Sequence, residues 1–421
     1  MNAVIPHLWL PYTQMQGMAA PLRAARTAGT RIILDDGREL IDAVSSWWTA
    51  CHGYNHPHIV MTMENQLNTM PHVMLGGLLH EPAERLAARL TAILPGSLNR
   101  VFFADSGSVA VEVAMKIAVQ YKLNCGDSGR TLFLCFRDGY HGDTLAAMSV
   151  TDPDEGMHAL FKGYLPEQVI APIPRDADST AEFRRLLDVH GEEIAGVIVE
   201  PLVQCAGGMK MHDPAALKVI ADAAHAAGAL LICDEIAVNF GRAGTLFAHS
   251  QAGIAPDIIC LGKALTGGAI NLAATVATAD VFDAFLSDDP DAALMHGPTY
   301  MANPLACAAA NASLDLFETE PRLPQVETIE AQLARELAPV ADLPGVVDVR
   351  VKGAIGAVET SALHDLDWLK AQFVDAGIWL RPFGNVIYTM SPLTITSAEL
   401  SAITGAISDI LPRWAERASG L

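Results

Sequence analysis

Two charged residues stand where apolar strands end, in positions where burial would make a bare charge unfavourable. Asp234 closes the run "ALLICDE", and Lys263 follows the apolar residues Ile258–Leu261 after a single glycine. Removing an ammonium group from water costs free energy unless the group is paired, deprotonated or used in chemistry. Taken alone, the two residues predict either a buried ion pair or a pair that serves a cofactor.

The lysine does not fit a phosphate-binding P-loop. That motif needs GxxxxGK[ST], whereas alanine follows Lys263 in "CLGKAL" and the earlier glycine is missing. The run "GDSGR" (126–130) lies in a polar connection, so it predicts a surface turn and not a protease nucleophile. In "HGYNHPH" (52–58), Gly53 and Pro57 interrupt any helix that would align the imidazoles, and no metal site is predicted.

A pyridoxal phosphate enzyme uses such a lysine and carboxylate together. The lysine joins covalently to the cofactor aldehyde, and the carboxylate keeps the pyridine nitrogen protonated. Partial burial favours the neutral amine that this chemistry needs. Other strand ends support the cofactor: Gly107 and Ser108 begin a helix suited to phosphate, Tyr140 offers a flat ring, and Gly297 and Thr299 precede a second helix. These residues favour pyridoxal 5'-phosphate over a plain ion pair.

The elements around these residues predict an α/β fold. Near-continuous apolar strands such as "TLFLCF", "AGVIVE" and "ALLICDE" alternate with helical segments, which is typical of a mainly parallel sheet covered by helices. Ligands bind beyond the carboxyl ends of such strands, so the polar strand ends should converge. We predict a change of domain near residue 320, where the large domain is followed by an α+β module. In the latter, "GVVDVRVKGAIGAVET" and "IWLRPFGNVIYTMSP" each predict a pair of strands.

Composition restricts the partners and the compartment. The formal net charge of −21 argues against nucleic acid and anionic membranes, which require basic surface. Seven cysteines are scattered without a CxxC pair, as expected of buried thiols in a reducing compartment. The sequence shows no signal peptide pattern at the N-terminus and no apolar run long enough to cross a bilayer. A cytoplasmic protein is predicted.

Several long motifs resemble the class III, fold-type I pyridoxal phosphate aminotransferases. They include "SSWWTACHGYNHP", "FFADSGSVAVEVAMKIAVQY", "FRDGYHGDTLAAMSV", "APDIICLGKALTGG", "NPLACAAANASL" and "RPFG". The resemblance extends from about Trp9 to beyond Arg381 and therefore covers nearly the whole chain. It implies a large domain with a mainly parallel sheet at 51–320 and a smaller α+β domain built from both ends of the chain, 1–50 and 321–421, with the N-terminal segment also contributing to the active site.

The resemblance implies a role for each matching residue. Lys263 would hold the cofactor and move the proton, Asp234 would bind the pyridine nitrogen, and Tyr140 would stack on the ring. Gly107 and Ser108 would bind the phosphate from one subunit. Pro298 and Thr299 would reach it from the other subunit, so a homodimer with shared active sites is implied. The residues that match substrate-contacting positions are Tyr12, Trp47, Gly297 and Arg381.

The resemblance also implies a reaction. An amino group would pass from S-adenosylmethionine to 8-amino-7-oxononanoate, giving 7,8-diaminononanoate for biotin biosynthesis, with Arg381 pairing with the acceptor's carboxylate. Lysine is the alternative donor, and the alternative activities are an ω-amino acid:pyruvate aminotransferase, an aminomutase or a decarboxylase. The chain departs from the family pattern at four positions near the predicted site, which could affect donor choice: Leu10, Cys205, Val238 and Asn239.

Overall fold

The computed structural model describes residues 7–153 and 159–418. At the N-terminus, three antiparallel strands follow one another: β1 (Ala24–Ala28), β2 (Arg31–Leu34) and β3 (Glu39–Asp42). The turn between β2 and β3 contains Asp36 and Gly37, and Gly37 has a φ of 89°, which glycine adopts without steric cost. An Asp-Gly pair between two β-like runs, as in "TRIILDDGRELID", is a common signature of such a hairpin.

A seven-stranded sheet forms the centre of the molecule, in the spatial order β4-β12-β11-β10-β7-β5-β6. Six of its strands run parallel, and β12 runs antiparallel to both of its neighbours. The strands of this part of the chain, including a separate pair formed by β8 and β9, are β4 (Leu98–Ala104), β5 (Leu132–Phe136), β6 (Val169–Ala171), β7 (Ile194–Val199), β8 (Val203–Gln204), β9 (Lys210–Met211), β10 (Leu230–Asp234), β11 (Ile258–Leu261) and β12 (Ala273–Thr278). The predicted mainly parallel α/β sheet is confirmed.

Helices pack against this sheet and bury its apolar strands. All residues of β7, β10, β11 and β12 are buried, which explains why their sequences are almost continuously apolar. The helices up to residue 319 are α1 (Pro57–Thr69), α2 (Glu81–Ile93), α3 (Gly107–Asn124), α4 (Leu145–Ser149), α5 (Ala177–His190), α6 (Pro214–Ala226), α7 (Ala279–Asp283) and α8 (Pro304–Thr319). Within the described residues, no helix is both long and apolar enough to span a membrane.

The C-terminal part contains the elements α9 (Arg322–Leu337), β13 (Val346–Lys352), β14 (Ile355–Thr360), α10 (Leu366–Asp375), β15 (Ile378–Trp379), β16 (Val386–Thr389) and α11 (Ser397–Ala418). Strands β13 and β14 form the predicted antiparallel pair. The second predicted pair, in "IWLRPFGNVIYTMSP", is wrong. Strand β15 pairs in parallel with β3, whereas β16 pairs with β14. Pro382, which lacks a backbone N–H, and a tight turn between Phe383 and Val386 separate the two strands.

Residues 45–48 form a left-handed helical turn, which is rare for residues other than glycine. The φ angles of Ser45, Ser46, Trp47 and Trp48 are 48°, 48°, 56° and 75°. Hydrogen bonds of the α type close the turn, from Trp48 N to Val44 O (2.8 Å) and from Thr49 N to Ser45 O (2.8 Å). This conformation costs roughly 1–2 kcal/mol per residue, so the surrounding structure must stabilise it.

Candidate active site

The carboxyl ends of the parallel strands surround a cavity of about 210 Å³. The segments that follow β4, β5, β7, β10 and β11 all contribute to it, as the sheet topology requires. Its lining residues are Trp48, Gly107, Ser108, Tyr140, His141, Gly142, Glu200, Asp234, Ile236, Ala237 and Lys263. Five residues predicted to bind the cofactor therefore share one cavity: Gly107, Ser108, Tyr140, Asp234 and Lys263.

Lys263 stands just after β11, at the start of a short 3-10 turn, Lys263–Thr266. Its φ of 47° is unusual for a residue with a side chain, and such conformations concentrate at functional sites. The Nζ atom lies 4.6 Å from the ring centre of Trp48. Burial lowers the pKa of Lys263 below its ordinary value, and the nearby carboxylate of Asp234 opposes that shift. A larger share of neutral amine at neutral pH follows, which is the form that reacts with an aldehyde.

Asp234 ends β10 as a buried carboxylate held on both oxygens. Its Oδ2 atom lies 2.7 Å from Nδ1 of His141, and its Oδ1 accepts a hydrogen bond from the backbone N–H of Ile236 at 3.1 Å. The side chain of His141 is 1% exposed, so this contact is sealed from water. A carboxylate fixed in this way at the cavity wall can hold a protonated pyridine nitrogen.

Tyr140 lies at the carboxyl end of β5 and is held through its backbone. Its N–H donates to Oε2 of Glu200 at 3.0 Å, and the other oxygen of Glu200 accepts from the N–H of Cys205 at 3.0 Å. The Tyr140 hydroxyl donates to Oδ1 of Asp143 at 2.9 Å. Burial, then the neighbouring Tyr12 and Asp143, raise the pKa of Tyr140, so the phenol stays neutral. Burial also raises the pKa of Glu200, to about 7.

The start of α3 has the features of a phosphate site. Ser106 caps the helix by accepting from the N–H of Val109, whereas no acceptor in the described part of the chain takes the N–H groups of Gly107 and Ser108. A Cβ atom on Gly107 would lie 3.0 Å from the side chain of Ile236, so glycine keeps this wall open. Free N–H groups at the positive end of an 18-residue helix bind anions.

Three residues predicted to contact substrate lie next to this cavity without lining it. The hydroxyl of Tyr12 is 3.5 Å from that of Tyr140 and also donates to Asp143. The rings of Tyr12 and Trp47 meet edge to face at 6.1 Å, and the guanidinium carbon of Arg381 lies 5.0 Å from the ring centre of Trp47. Tyr12, Trp47 and Arg381 thus form a continuous group that reaches the cavity through Tyr140.

The structure does not bring Gly297, Pro298 and Thr299 to this cavity. They belong to a segment fixed on α3 by Lys116, whose Nζ donates to the carbonyl of Met295 at 2.9 Å. Gly297 and Thr299 are exposed. That Pro298 and Thr299 serve the site of a second subunit stays a prediction.

Three of the four departures from the family pattern lie behind the cavity wall, at positions 205, 238 and 239. Val238 and Asn239 are buried, and the cavity is lined by their neighbours Ile236 and Ala237. The Nδ2 atom of Asn239 donates to the carbonyl of Gly262, the residue before Lys263, at 3.3 Å. Cys205 is also buried, beside Glu200. Val238 and Asn239 therefore do not line the cavity themselves.

Six lining residues were not predicted from the sequence, and three of these carry an aromatic or ionisable side chain: Trp48, His141 and Glu200. All three lie within the motifs and strands described above, since Trp48 belongs to "SSWWTACHGYNHP", His141 follows Tyr140, and Glu200 ends the run "AGVIVE". Their strand-end positions were the available signal for His141 and Glu200. No sequence signal placed Trp48 at the cavity, because its position depends on the left-handed turn at residues 45–48.

The donor set of this cavity fits pyridoxal phosphate. Helix N–H groups face the phosphate position, a buried carboxylate can meet the ring nitrogen, an aromatic ring flanks the space, and an amine with a lowered pKa is present. When bound, the cofactor supplies an aldehyde and an electron-withdrawing ring. Among the described residues, no cluster of side chains has the composition of a metal site.

Comparison with known proteins identifies the family. The family profile "Aminotransferase class-III" matches residues 12–411. The adenosylmethionine-8-amino-7-oxononanoate aminotransferase of Corynebacterium glutamicum is 45% identical over 406 residues, covering 95% of this chain and 96% of that protein. The enzyme of the same name from Mycobacterium leprae is 46% identical over 413 residues, covering 96% and 94%.

Solved structures of aminotransferases share the fold of this chain. The adenosylmethionine-8-amino-7-oxononanoate aminotransferase of Methanocaldococcus jannaschii superposes with a TM-score of 0.93 at 33% identity, covering 97% of each chain. An (S)-enantioselective omega-transaminase from Thermomicrobium roseum superposes with a TM-score of 0.90 at 28% identity, covering 97% of this chain and 96% of that one. The chain belongs to the class III aminotransferases and is a pyridoxal-phosphate-dependent aminotransferase of fold type I.

Proposed function

We propose that the enzyme transfers an amino group from S-adenosylmethionine to 8-amino-7-oxononanoate, which yields 7,8-diaminononanoate in biotin biosynthesis. The observation that carries this proposal is the identity of 45% and 46%, over at least 94% of both chains, to two relatives named for that reaction. The geometry beside the cavity is compatible with it. Arg381 has no ion-pair or hydrogen-bond partner in the described part of the chain, although it lies against Trp47.

We assign the cofactor contacts to the five residues that share the cavity. The free N–H groups of Gly107 and Ser108 would bind the phosphate, and Tyr140 would cover one face of the ring. Asp234 would hold the proton of the pyridine nitrogen, supported by His141. Lys263 would carry the covalent bond to the cofactor, and its Nζ would then accept and return the substrate proton because burial favours the neutral amine.

The substrate contacts are assigned to the group next to the cavity. Arg381 would bind the acceptor's carboxylate, because a guanidinium without an acidic partner offers two parallel N–H donors. Tyr12 and Trp47 would enclose the acceptor's chain between this arginine and Tyr140. The neutral Tyr140 hydroxyl, held by Asp143, would remain a hydrogen-bond donor at the cavity entrance.

A homodimer is part of the proposal, because Pro298 and Thr299 are expected to complete the phosphate site of a second subunit. An exposed apolar patch next to these residues supports an interface there. The patch is formed by two chain segments, one around residues 72–79 and one around residues 295–300. The rings of His72 and Tyr300 connect them, with ring centres 4.5 Å apart. Its apolar members are Met74 (59% exposed), Leu79 (75%), Met295 (77%) and Tyr300 (59%).

We also propose the division of the chain into 1–50 and 321–421 as one small domain and 51–320 as the large one. Support comes from β3 and β15, which pair in parallel although they lie at opposite ends of the sequence. The buried Oγ of Ser45 adds a second connection by donating to the carbonyl of Met390 at 2.8 Å. The cytoplasmic location stays a prediction.

A two-stage, single-turnover experiment tests the reaction. The enzyme with bound cofactor is mixed with one donor, either S-adenosylmethionine, lysine or an ω-amino acid, and the visible absorbance of the cofactor is followed. After the excess donor is removed, 8-amino-7-oxononanoate or pyruvate is added. We expect S-adenosylmethionine to change the spectrum and the oxononanoate to restore it. Restoration by pyruvate alone would instead assign the enzyme to the omega-transaminases, and Lys263→Ala serves as the inactive control.

A further inference from the structure

The left-handed turn at residues 45–48 carries two tryptophans that face the active site from different sides. Trp48 lines the cavity and lies 4.6 Å from Nζ of Lys263. Trp47 is 40% exposed and contacts Arg381 and Tyr12 outside the cavity. A right-handed turn at the same place would point both rings elsewhere, because reversal of φ redirects every Cα–Cβ bond. The position of both rings therefore depends on a conformation that the residues themselves disfavour.

One buried carboxylate holds the start of this turn. Asp42 is 0% exposed, and its Oδ1 accepts the N–H of Val44 at 2.9 Å while its Oδ2 accepts the N–H of Ser46 at 2.8 Å. The hydroxyl of Tyr54 donates to the same Oδ2 at 2.5 Å and also contacts Oγ of Ser46. Both oxygens of Asp42 are thus used by the backbone before and inside the turn.

Further contacts hold the far side of the turn. Ser45 donates to the carbonyl of Met390 at 2.8 Å, and Nη2 of Arg242 donates to the carbonyl of Trp48 at 3.2 Å. These bonds tie the turn to distant parts of the chain, one through the hydroxyl of Ser45 and the other through the carbonyl of Trp48. Asp42 differs, since it bonds two N–H groups whose spacing defines the direction of the first residues of the turn.

We infer that Asp42 is a positioning residue of the active site. Through Val44, Ser46 and Tyr54 it keeps residues 45–48 left-handed, and in this way it sets the place of Trp47 against Arg381 and of Trp48 against Lys263. The inference rests on the proposed function of Arg381 as the binding group for the acceptor's carboxylate. Nothing in the arrangement requires Asp42 to touch substrate or cofactor.

The test compares Asp42→Asn with a matched control, Asp36→Asn. In either orientation, the amide that replaces the Asp42 carboxylate would turn an NH₂ group toward one of the two backbone N–H groups, whereas Asp36 is an exposed carboxylate on the same hairpin that bonds Arg38. The substrates are 8-amino-7-oxononanoate and its methyl ester, which has no carboxylate. Because a displacement of about 1 Å can change rates up to roughly a hundredfold, we expect the ratio of kcat/KM, acid over ester, to fall at least about tenfold in Asp42→Asn. The kcat/KM for the ester should fall by a smaller factor, because the ester reports only the displacement of Trp48 beside Lys263 and not the loss of the contact with Arg381.

A smaller amount of folded protein would lower kcat/KM for the acid and for the ester by the same factor, and their ratio would not change. A ratio in Asp42→Asn equal to that of the wild type therefore overturns the inference. Tyr54→Phe removes one of the three bonds and should lower the ratio in the same direction by a smaller factor. The near-ultraviolet circular dichroism of the tryptophans supplies an independent readout. We expect it to change in Asp42→Asn and to stay the same in Asp36→Asn, and an unchanged spectrum in Asp42→Asn overturns the inference. If the wild type shows no preference for the acid, the role of Arg381 fails, while the dichroism still decides the role of Asp42.

Discussion

Nδ1 of His141 lies 2.7 Å from Oδ2 of Asp234, and both side chains are almost completely buried. The second oxygen of Asp234 accepts from the backbone N–H of Ile236. Together these contacts fix the plane of the carboxylate, which matters because a pyridine nitrogen can be held only in that plane. His141 therefore supports Asp234 in the same way that a buried carboxylate orients a catalytic histidine in other enzymes.

Replacement of His141 by phenylalanine tests this support. A hydrogen bond to a charged group contributes roughly 1.5–3 kcal/mol, so we expect the dissociation constant of pyridoxal phosphate to rise about ten- to a hundredfold. Fluorescence titration of the cofactor-free protein measures it. His58→Phe is the control, because His58 bonds Asp315 at 2.8 Å in a partly exposed pair outside the cavity. An equal loss of affinity in both variants would contradict the assigned role.

Because its pKa is lowered, Lys263 should react with an acylating reagent at a lower pH than ordinary lysines do. Burial lowers the pKa, and Asp234 is the strongest influence in the opposite direction. In the cofactor-free protein, the labelling of Lys263 should thus reach its midpoint at lower pH than the labelling of exposed lysines. The midpoint should move lower still in Asp234→Asn, because the ammonium loses its nearest counter-charge. Mass spectrometry of labelled peptides over a pH series measures both, and a rise in Asp234→Asn would refute the coupling.

Replacement of Arg381 should weaken the binding of the acceptor without affecting the donor. Without its guanidinium, the acceptor's carboxylate loses a charged hydrogen-bond partner worth roughly 1.5–3 kcal/mol, so KM for 8-amino-7-oxononanoate should rise about ten- to a hundredfold in Arg381→Ala. Arg381→Lys should give an intermediate rise, since lysine keeps the charge and loses the planar fork. The KM of the donor should stay unchanged. Arg413→Lys, at an exposed arginine that bonds Gln372, is the control in steady-state assays.

The sequence predicted the central part of this structure because its signals are local. Continuously apolar runs such as β10 and β11 predict buried strands, and a charged residue marks the end of each, since Asp234 ends β10 and Lys263 follows β11 after one glycine. The same topology brings Asp234 and Lys263 together, so the cofactor cavity could be predicted from strand ends alone. The pairing of β15 with β3 could not be predicted in this way. A strand of only two residues carries no information about a partner more than three hundred residues away.

The turn at 45–48 escaped prediction for a different reason. Positive φ angles are predicted from glycine or asparagine, whereas this turn consists of two serines and two tryptophans. Its conformation is imposed by Asp42, Met390 and Arg242, which are contacts made only in the folded chain. For the same reason the place of Trp48 under Lys263 had no signal in the sequence. Gly297, Pro298 and Thr299 present another limit, because their predicted site requires a second copy of the chain.

Glu200 predicts an unusual pH dependence of stability. Its carboxyl pKa is raised to about 7 by burial, from an ordinary value of 4.5. Between these two values the folded state binds more protons at Glu200 than the unfolded state does, so this residue's contribution to the free energy of unfolding decreases as the pH rises. Measured by urea unfolding of the cofactor-free protein at fixed concentration, wild type should lose stability relative to Glu200→Gln between about pH 5 and about pH 8.

Glu399→Gln is the matched control. Burial alone would raise the pKa of Glu399, but hydrogen bonds from Thr30 and Thr396 lower it overall, so its titration lies below this range. A constant difference between wild type and Glu200→Gln across the range would mean that Glu200 is already ionised in the folded enzyme at about pH 5.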